Sequence, residues 1–327
     1  MSLSPDPDII QEAHNRVSPW IHRTPVFTSA SINEIIGASL WFKCENFQKV
    51  GAFKSRGAVN AVFSLSDAEL ANGVCTHSSG NHAQALARAA LLRGIPAHIV
   101  MPENAPAIKV AAVKHYKGNI TFCKPTLQAR EESLAMVRAA TGATEIHPYN
   151  HPPVILGQAT CAKELIEDIP VNPDYIITPV GGGGLLSGTC LSVQCYSPDT
   201  VIIAAEPEGA NDAWQSMKAG ELIPSVNPNT IADGLLTSLG SNTWPVIRKY
   251  VREILLADDR QIVQAMRLIW ERMKIITEPS AVLPLAALIR LKENGDFEPF
   301  KGKHIAIILS GGNIDLDRLP WNMKTTA

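Results

Sequence analysis

Residues Tyr175–Gly188 read YIITPVGGGGLLSG. A short apolar run with no polar face passes into four consecutive glycines and then into an apolar stretch of helical composition. Unbroken apolar character over five or so residues is what a parallel strand covered on both faces shows. The glycines let the backbone turn its N–H groups inward, and the helix start adds the positive end of its dipole. That combination suits a phosphate dianion; a plain strand-to-helix turn is the alternative. The spacing is not that of Walker A, because no Lys-Ser/Thr pair follows the last glycine. Nor is it GxGxxG, although Glu206 stands near the distance at which a dinucleotide site places its acid.

Outward from this turn, short apolar runs alternate with helical patterns. Strands are predicted at Ser39–Cys44, Ala97–Met101, Ile120–Cys123, Tyr175–Pro179, Val201–Ala205 and His304–Leu309, and helices at His82–Arg93, Gln128–Ala140, Gly157–Glu167 and Asp259–Lys274. This alternation predicts an α/β fold with largely parallel sheets. The first of these helices has clear limits: Ser78, Ser79 and Asn81 offer capping oxygens, and Gly94 followed by Pro96 ends it. Proline-rich stretches at 148–153, 170–173 and 224–228 read as loops, the first as a candidate domain boundary.

Composition narrows the function classes. The chain has 327 residues with 29 Lys plus Arg against 31 Asp plus Glu, a net charge of −2, and no clustered basic surface, so nucleic acid is not expected as a partner. No apolar run approaches membrane-spanning length, and the acidic start MSLSPDPDII lacks the pattern of a secretory signal. A cytoplasmic protein with reduced thiols is expected. The six cysteines (44, 75, 123, 161, 190 and 195) form no CxxC pair and read as small core residues.

Four further segments carry chemistry-bearing residues. In NFQKVGAFKSRGA (46–58), Lys54 lies near a predicted helix start among small and aromatic neighbours. Such a setting lowers an amine's pKa, and a neutral amine is what an imine-forming nucleophile needs. In HSSGNHAQ (77–84), Ser79 offers a hydroxyl and Asn81 an amide at a helix start, where capping would equally explain both. In IAIILSGGNID (305–315), a strand ends in Ser310 and Asn313, beyond the carboxyl end where open α/β sheets bind ligands. In EPEGAND (206–212), Glu206 and Asp212 flank a carbonyl. From spacing alone two carboxylates are few for a hard cation, and Asp212 as a helix cap is the simpler reading.

Taken together and in order, GAFKSRGA, SSGNHAQ, GGGGLLSG, EPEGAND, ADG with NTWP, and ILSGGN resemble the fold-type II pyridoxal phosphate enzymes, specifically the serine/threonine dehydratase and serine racemase group. The resemblance runs from about His22 to Asp315. It implies two open α/β domains with the cofactor between them: a large one from residues 1–52 and 149–327, and a small mobile one from 53–148. Lys54 would form the Schiff base and act as base on one face of the substrate α-carbon, with the Ser79 hydroxyl on the other. Phe53, Asn81, Gly181, Gly182, Gly183, Gly184, Leu185, Gly234, Glu278 and Ser310 would surround pyridoxal 5'-phosphate. Ser78, Gly80, His82, Arg130, Asn150, His151 and Asp233 fall in segments resembling the substrate side.

The same resemblance turns Glu206, the carbonyl of Ala210 and Asp212 into a divalent-cation site, for Mg2+ with Ca2+ or Mn2+ as alternatives. The activity implied is serine racemisation with dehydration of L-serine. A serine at the pyridine nitrogen holds no proton there as a carboxylate would, which favours elimination. An ammonia-lyase for threonine or 3-hydroxyaspartate, with little racemisation, is the close alternative. The partners implied are an amino-acid substrate, a second copy of the chain and a nucleotide activator. No regulatory domain is expected after Asp315.

Overall fold

The computed structural model describes residues 3–78 and 80–321. The strands are β1 (Val26–Phe27), β2 (Ser39–Cys44), β3 (Val74–His77), β4 (Ala97–Pro102), β5 (Asn119–Cys123), β6 (Thr144–Glu145), β7 (Tyr175–Pro179), β8 (Val201–Pro207), β9 (Glu253–Ala257) and β10 (His304–Leu309). They form two sheets. One runs β1-β2-β10-β7-β8-β9, the other β5-β4-β3-β6. Every pairing is parallel except β1 with β2.

The six-stranded sheet is covered on both faces. Leu40, Phe42, Ile177, Ile203, Ile305 and Ile307 pack on one side with the Leu283–Asn294 helix. Ile176, Ile202, Ala306 and Ile308 pack on the other with the Pro152–Asp168 and Gly184–Tyr196 helices. Alternate residues of one strand therefore enter two cores, which is why these runs lack a polar face. The four-stranded sheet shares its core with the Lys54–Phe63 and Asn81–Arg93 helices, through Val59, Val62, Leu86, Ile99 and Val113. The carboxyl ends of β3, β7 and β10 deliver the Ser78–Asn81 loop, the glycine turn and Ser310.

Several expectations are corrected. β5 is an edge strand and largely exposed, not covered on both faces: Asn119 and Thr121 on one face and Phe122 on the other lie open. The helix predicted at 157–167 begins earlier, at Pro152, where a proline in the first turn forfeits no hydrogen bond. That predicted at 259–274 is α-helical only to Leu268; a π-turn covers Ile269–Met273, and Lys274 is left-handed (φ 61°). Among the described residues no side chain caps the Asn81–Arg93 helix. Gly80 holds the cap position, and the Asn81 amide turns elsewhere. All six cysteines are free; five are buried and Cys195 is partly exposed. Among the described residues no helix is long and apolar enough to cross a membrane.

Candidate active site

The turn before Lys54 is forced by two left-handed residues, Val50 (φ 58°) and Gly51 (φ 67°). It lays Ala52 beside Gly311 as an antiparallel bridge, and the Phe53 N–H donates to the Ser310 carbonyl (3.0 Å). Lys54 is therefore the first residue of a helix that starts against the carboxyl end of β10. Its ammonium points inward and donates to the Pro148 carbonyl (2.9 Å), 5.1 Å from the centroid of the Phe53 ring. Burial pushes the amine down to about 8, with the Glu278 carboxylate opposing.

The residue after Pro148 reaches the glycine turn. A β-carbon on Gly182 would stand 2.3 Å from the Tyr149 ring, so only glycine fits. Gly183 is left-handed (φ 86°), and Gly184 opens the Gly184–Tyr196 helix. The first-turn N–H groups of that helix have no intrahelical acceptor, which leaves them for an anion. Thr243, from the NTWP segment, donates to the Gly182 carbonyl (2.9 Å). On the far side, Leu235 approaches Gly181, and the Gly234 N–H donates to Ser280 Oγ (3.0 Å).

A third group lies between the sheets. Asn81 Nδ2 donates to Glu278 Oε1 (2.8 Å), and Asn81 Oδ1 accepts from Asn313 Nδ2 (2.9 Å). Asn313 also donates to the Val50 carbonyl (2.7 Å), and its backbone N–H donates to Glu278 Oε2 (3.2 Å). Burial, reinforced by Asp233, raises the Glu278 carboxyl to about 7 against the opposing Lys109 charge and its hydrogen bonds to Asn81 and Asn313. Ser310 is buried beside this group. Lys54, Phe53, Asn81, Glu278, Ser310 and the glycines thus border one cleft.

The substrate-side residues are placed less uniformly. Ser78 Oγ accepts from the Gly80 N–H (3.3 Å) in the β3 loop. His82 is buried with Nε2 on the Ile146 carbonyl (3.2 Å), and burial together with the Lys54 charge holds it well below the usual imidazole range. His77 faces His147 edge-on (6.1 Å), and burial, with the charge of Arg130 on the Leu127–Thr141 helix, depresses His77. Burial, with the charges of His77, Lys54 and His151, brings His147 down to about 4. The Asn150 amide is already engaged by Ser241 Oγ and the Asn242 N–H, and His151 occupies the N-cap position of the Pro152–Asp168 helix without a side-chain hydrogen bond to it. Asp233 pairs with Lys109. Ser79 lies outside the described residues.

Sequence reasoning missed Lys109 and a buried ion cluster around Arg56. Arg56 Nε and Nη2 donate to Glu45 (2.7 and 2.8 Å), while Nη1 and Nη2 donate to Glu164 (2.9 and 2.7 Å). Lys43 donates to the same Glu164 (2.9 Å). Lys43 and Arg56 have no exposed side-chain surface. Only the charged residues inside the apolar patterns of β2 and FKSRGA could have hinted at it.

At the end of β8 the Glu206 carboxylate, not Asp212, caps the Asp212–Ala219 helix by accepting from Ala213 and Trp214 N–H (2.8 and 2.7 Å). Both Asp212 oxygens are buried without a well-formed hydrogen bond. Burial raises Glu206 to about 8 and Asp212 to about 6.

A family model described as pyridoxal-phosphate dependent enzyme matches residues 17–311. The chain belongs to this family. Among its relatives, the β-hydroxyaspartate dehydratase of Paracoccus denitrificans (strain Pd 1222) is 53% identical over 95% of this chain and 96% of its own. The serine racemase of Dictyostelium discoideum is 48% identical over 95% of each. The solved structure of maize serine racemase aligns with a TM-score of 0.92 at 48% identity, covering 96% of this chain and 95% of that one. The expected fold-type II architecture therefore holds. For a pyridoxal-phosphate dependent enzyme the residues present fit the coenzyme twice over: a buried amine of lowered pKa, and a run of glycines turning into a helix start whose first N–H groups are left for an anion.

Proposed function

We propose that this chain acts on β-hydroxy amino acids as a pyridoxal-phosphate dependent serine racemase with L-serine dehydratase activity. One observation carries the reading. The adjacent residues Pro148 and Tyr149 touch the Lys54 amine on one side and Gly182 on the other, so the amine and the phosphate-binding turn face one small space.

Bound there, pyridoxal phosphate supplies an electron sink that acidifies the α-hydrogen of an attached amino acid. Gly181–Gly184 and Leu185 would hold its phosphate, Phe53 would pack on its ring, and Asn81, fixed by Glu278 and Asn313, would meet its ring oxygen. Ser310 would face its ring nitrogen. Lys54, an amine poised near neutrality, takes the α-proton from one face. Ser79, by resemblance, returns a proton from the other face and inverts the centre. Where the β-hydroxyl leaves instead, the products are a keto acid and ammonia.

The reading includes a divalent cation, Mg2+ before Ca2+ or Mn2+, at Glu206, the Ala210 carbonyl and Asp212. The orphaned Asp212 oxygens support it. It also includes a cytoplasmic homodimer, a nucleotide activator and a moving small domain. We place the four-stranded sheet and its helices in that domain and keep Lys54 with the large one, because Arg56 ties its helix to Glu45 and Glu164.

A second reading is 3-hydroxyaspartate ammonia-lyase. Arg130, whose charge reaches His77, gives the substrate side a cation that suits a second carboxylate, while His77 and His147 stay neutral. The relative from Paracoccus denitrificans points the same way. Incubation with L-serine, D-serine, L-threonine and 3-hydroxyaspartate, followed by keto-acid and enantiomer assays, separates the two. Serine inversion that Ser79→Ala abolishes while elimination persists supports the first. Hydroxyaspartate turnover without inversion of serine supports the second. Lys54→Ala is expected to abolish every activity; turnover surviving in that variant refutes both.

A further inference from the structure

The Ala107–His115 helix belongs to the four-stranded side, yet it turns Lys109 toward the opposite wall of the cleft. Lys109 is only 8% exposed, and its ammonium meets Asp233 Oδ2. Covering a long cation costs solvation and side-chain freedom, so a single partner must hold it in place.

Two features give this pair a role. Among the described residues it is the only ion pair joining segment 66–148 to the rest of the chain, since Arg93–Asp67 and Arg138–Glu145 both stay within that segment. It also borders Gly80, where a β-carbon would lie 3.7 Å from Lys109 Nζ. Glu278, which holds the Asn81 amide, lies within the field of both charges.

We propose that Lys109 is a positioning residue for the reaction: paired with Asp233, it packs against Gly80 and holds the start of the Asn81–Arg93 helix in its working place. This rests on the cleft being the active site. The four-stranded side can then swing without breaking the ion cluster at Arg56, because its one ionic link to the far wall lies at the opening.

The test compares Lys109→Met, Lys109→Arg, Asp233→Asn and the double variant Lys109→Met/Asp233→Asn in the full chain. With coenzyme bound, Lys109→Met is expected to lower kcat/KM about tenfold, mainly through KM, with Lys109→Arg recovering most of it and the double variant no worse than the single. In the coenzyme-free chain, amide hydrogen exchange should quicken at 78–82, 105–112 and 231–235 in Lys109→Met and not in Lys109→Arg, with 54–63 unchanged. Unchanged kcat/KM, additive single effects, or exchange that quickens equally at 54–63 overturns the proposal. If the parent turns over no β-hydroxy amino acid, the functional reading fails, and the exchange comparison still decides the pair.

Discussion

The two walls of the cleft are held by charges of opposite kinds. Behind Lys54, Arg56 and Lys43 are enclosed completely; Arg56 bonds both Glu45 and Glu164, and Lys43 shares Glu164. At the mouth, Lys109 has one carboxylate partner, and that partner's side chain is 46% exposed. A multiply bonded, buried cluster is unforgiving: removing one member strands the others. A lone pair open to solvent on one side can part and re-form at small cost. Under the proposed function, the Lys54 amine stands on the firmly tied wall and Gly80 beside the loosely tied one.

The severest way to break this contrast is Arg56→Met. It leaves Glu45 and Glu164 buried without their main cation and is expected to cost about 3–5 kcal/mol in denaturant melts. It should also lower coenzyme occupancy, because the helix bearing Lys54 loses its anchor. A loss near 1 kcal/mol would show that the two walls do not differ.

A smaller effect sharpens the contrast at the amine itself. The rate at which the coenzyme-free chain captures pyridoxal phosphate should rise with pH and level off above about 8, where Lys54 sheds its proton. Glu278→Gln should move that midpoint down, since the carboxylate is what holds the amine's pKa up against burial. Stopped-flow absorbance measures both, and a midpoint that stays put in the variant removes Glu278 from the account.

The smallest effect concerns the cation loop, far from either wall. Asp212 and Glu206 titrate near 6 and 8 when folded, above their unfolded values, so the folded chain holds the extra protons. Without a cation its stability should therefore fall as pH rises from roughly 4 toward 8. Added Mg2+ should raise Tm by a few degrees, more at pH 8 than at pH 5.5, and Asp212→Ala should lose the gain. Equal gains at both pH values would argue against these carboxylates as ligands.

What could be read from the sequence follows from where burial leaves a mark. β2, β7 and β10 are predicted residue for residue, because both faces of each enter a core and the runs are mostly apolar, Lys43 of β2 being the one charge among them. β3 escapes notice: four residues follow Gly73, and Thr76 and His77 break the apolar run. β9 opens on an exposed Glu253 at a sheet edge, and β1 and β6 span two residues each. Lys54 and the glycine turn are legible because their chemistry needs particular residue types close together in the chain. The Arg56 cluster is not, since Arg56 and Glu164 lie 108 positions apart and buried ions look like surface ones in composition. Glu206 as the cap of its helix was hidden for the same reason, coming from the preceding strand.

The carbonyl that receives Lys54 belongs to Pro148, and the next residue presses on Gly182. One stiff dipeptide therefore acts as a spacer between the two ends of any coenzyme lodged there. Attempts to retune substrate choice by rewriting residues 147–151 would alter that spacing too, so altered selectivity and weakened coenzyme retention should arrive together.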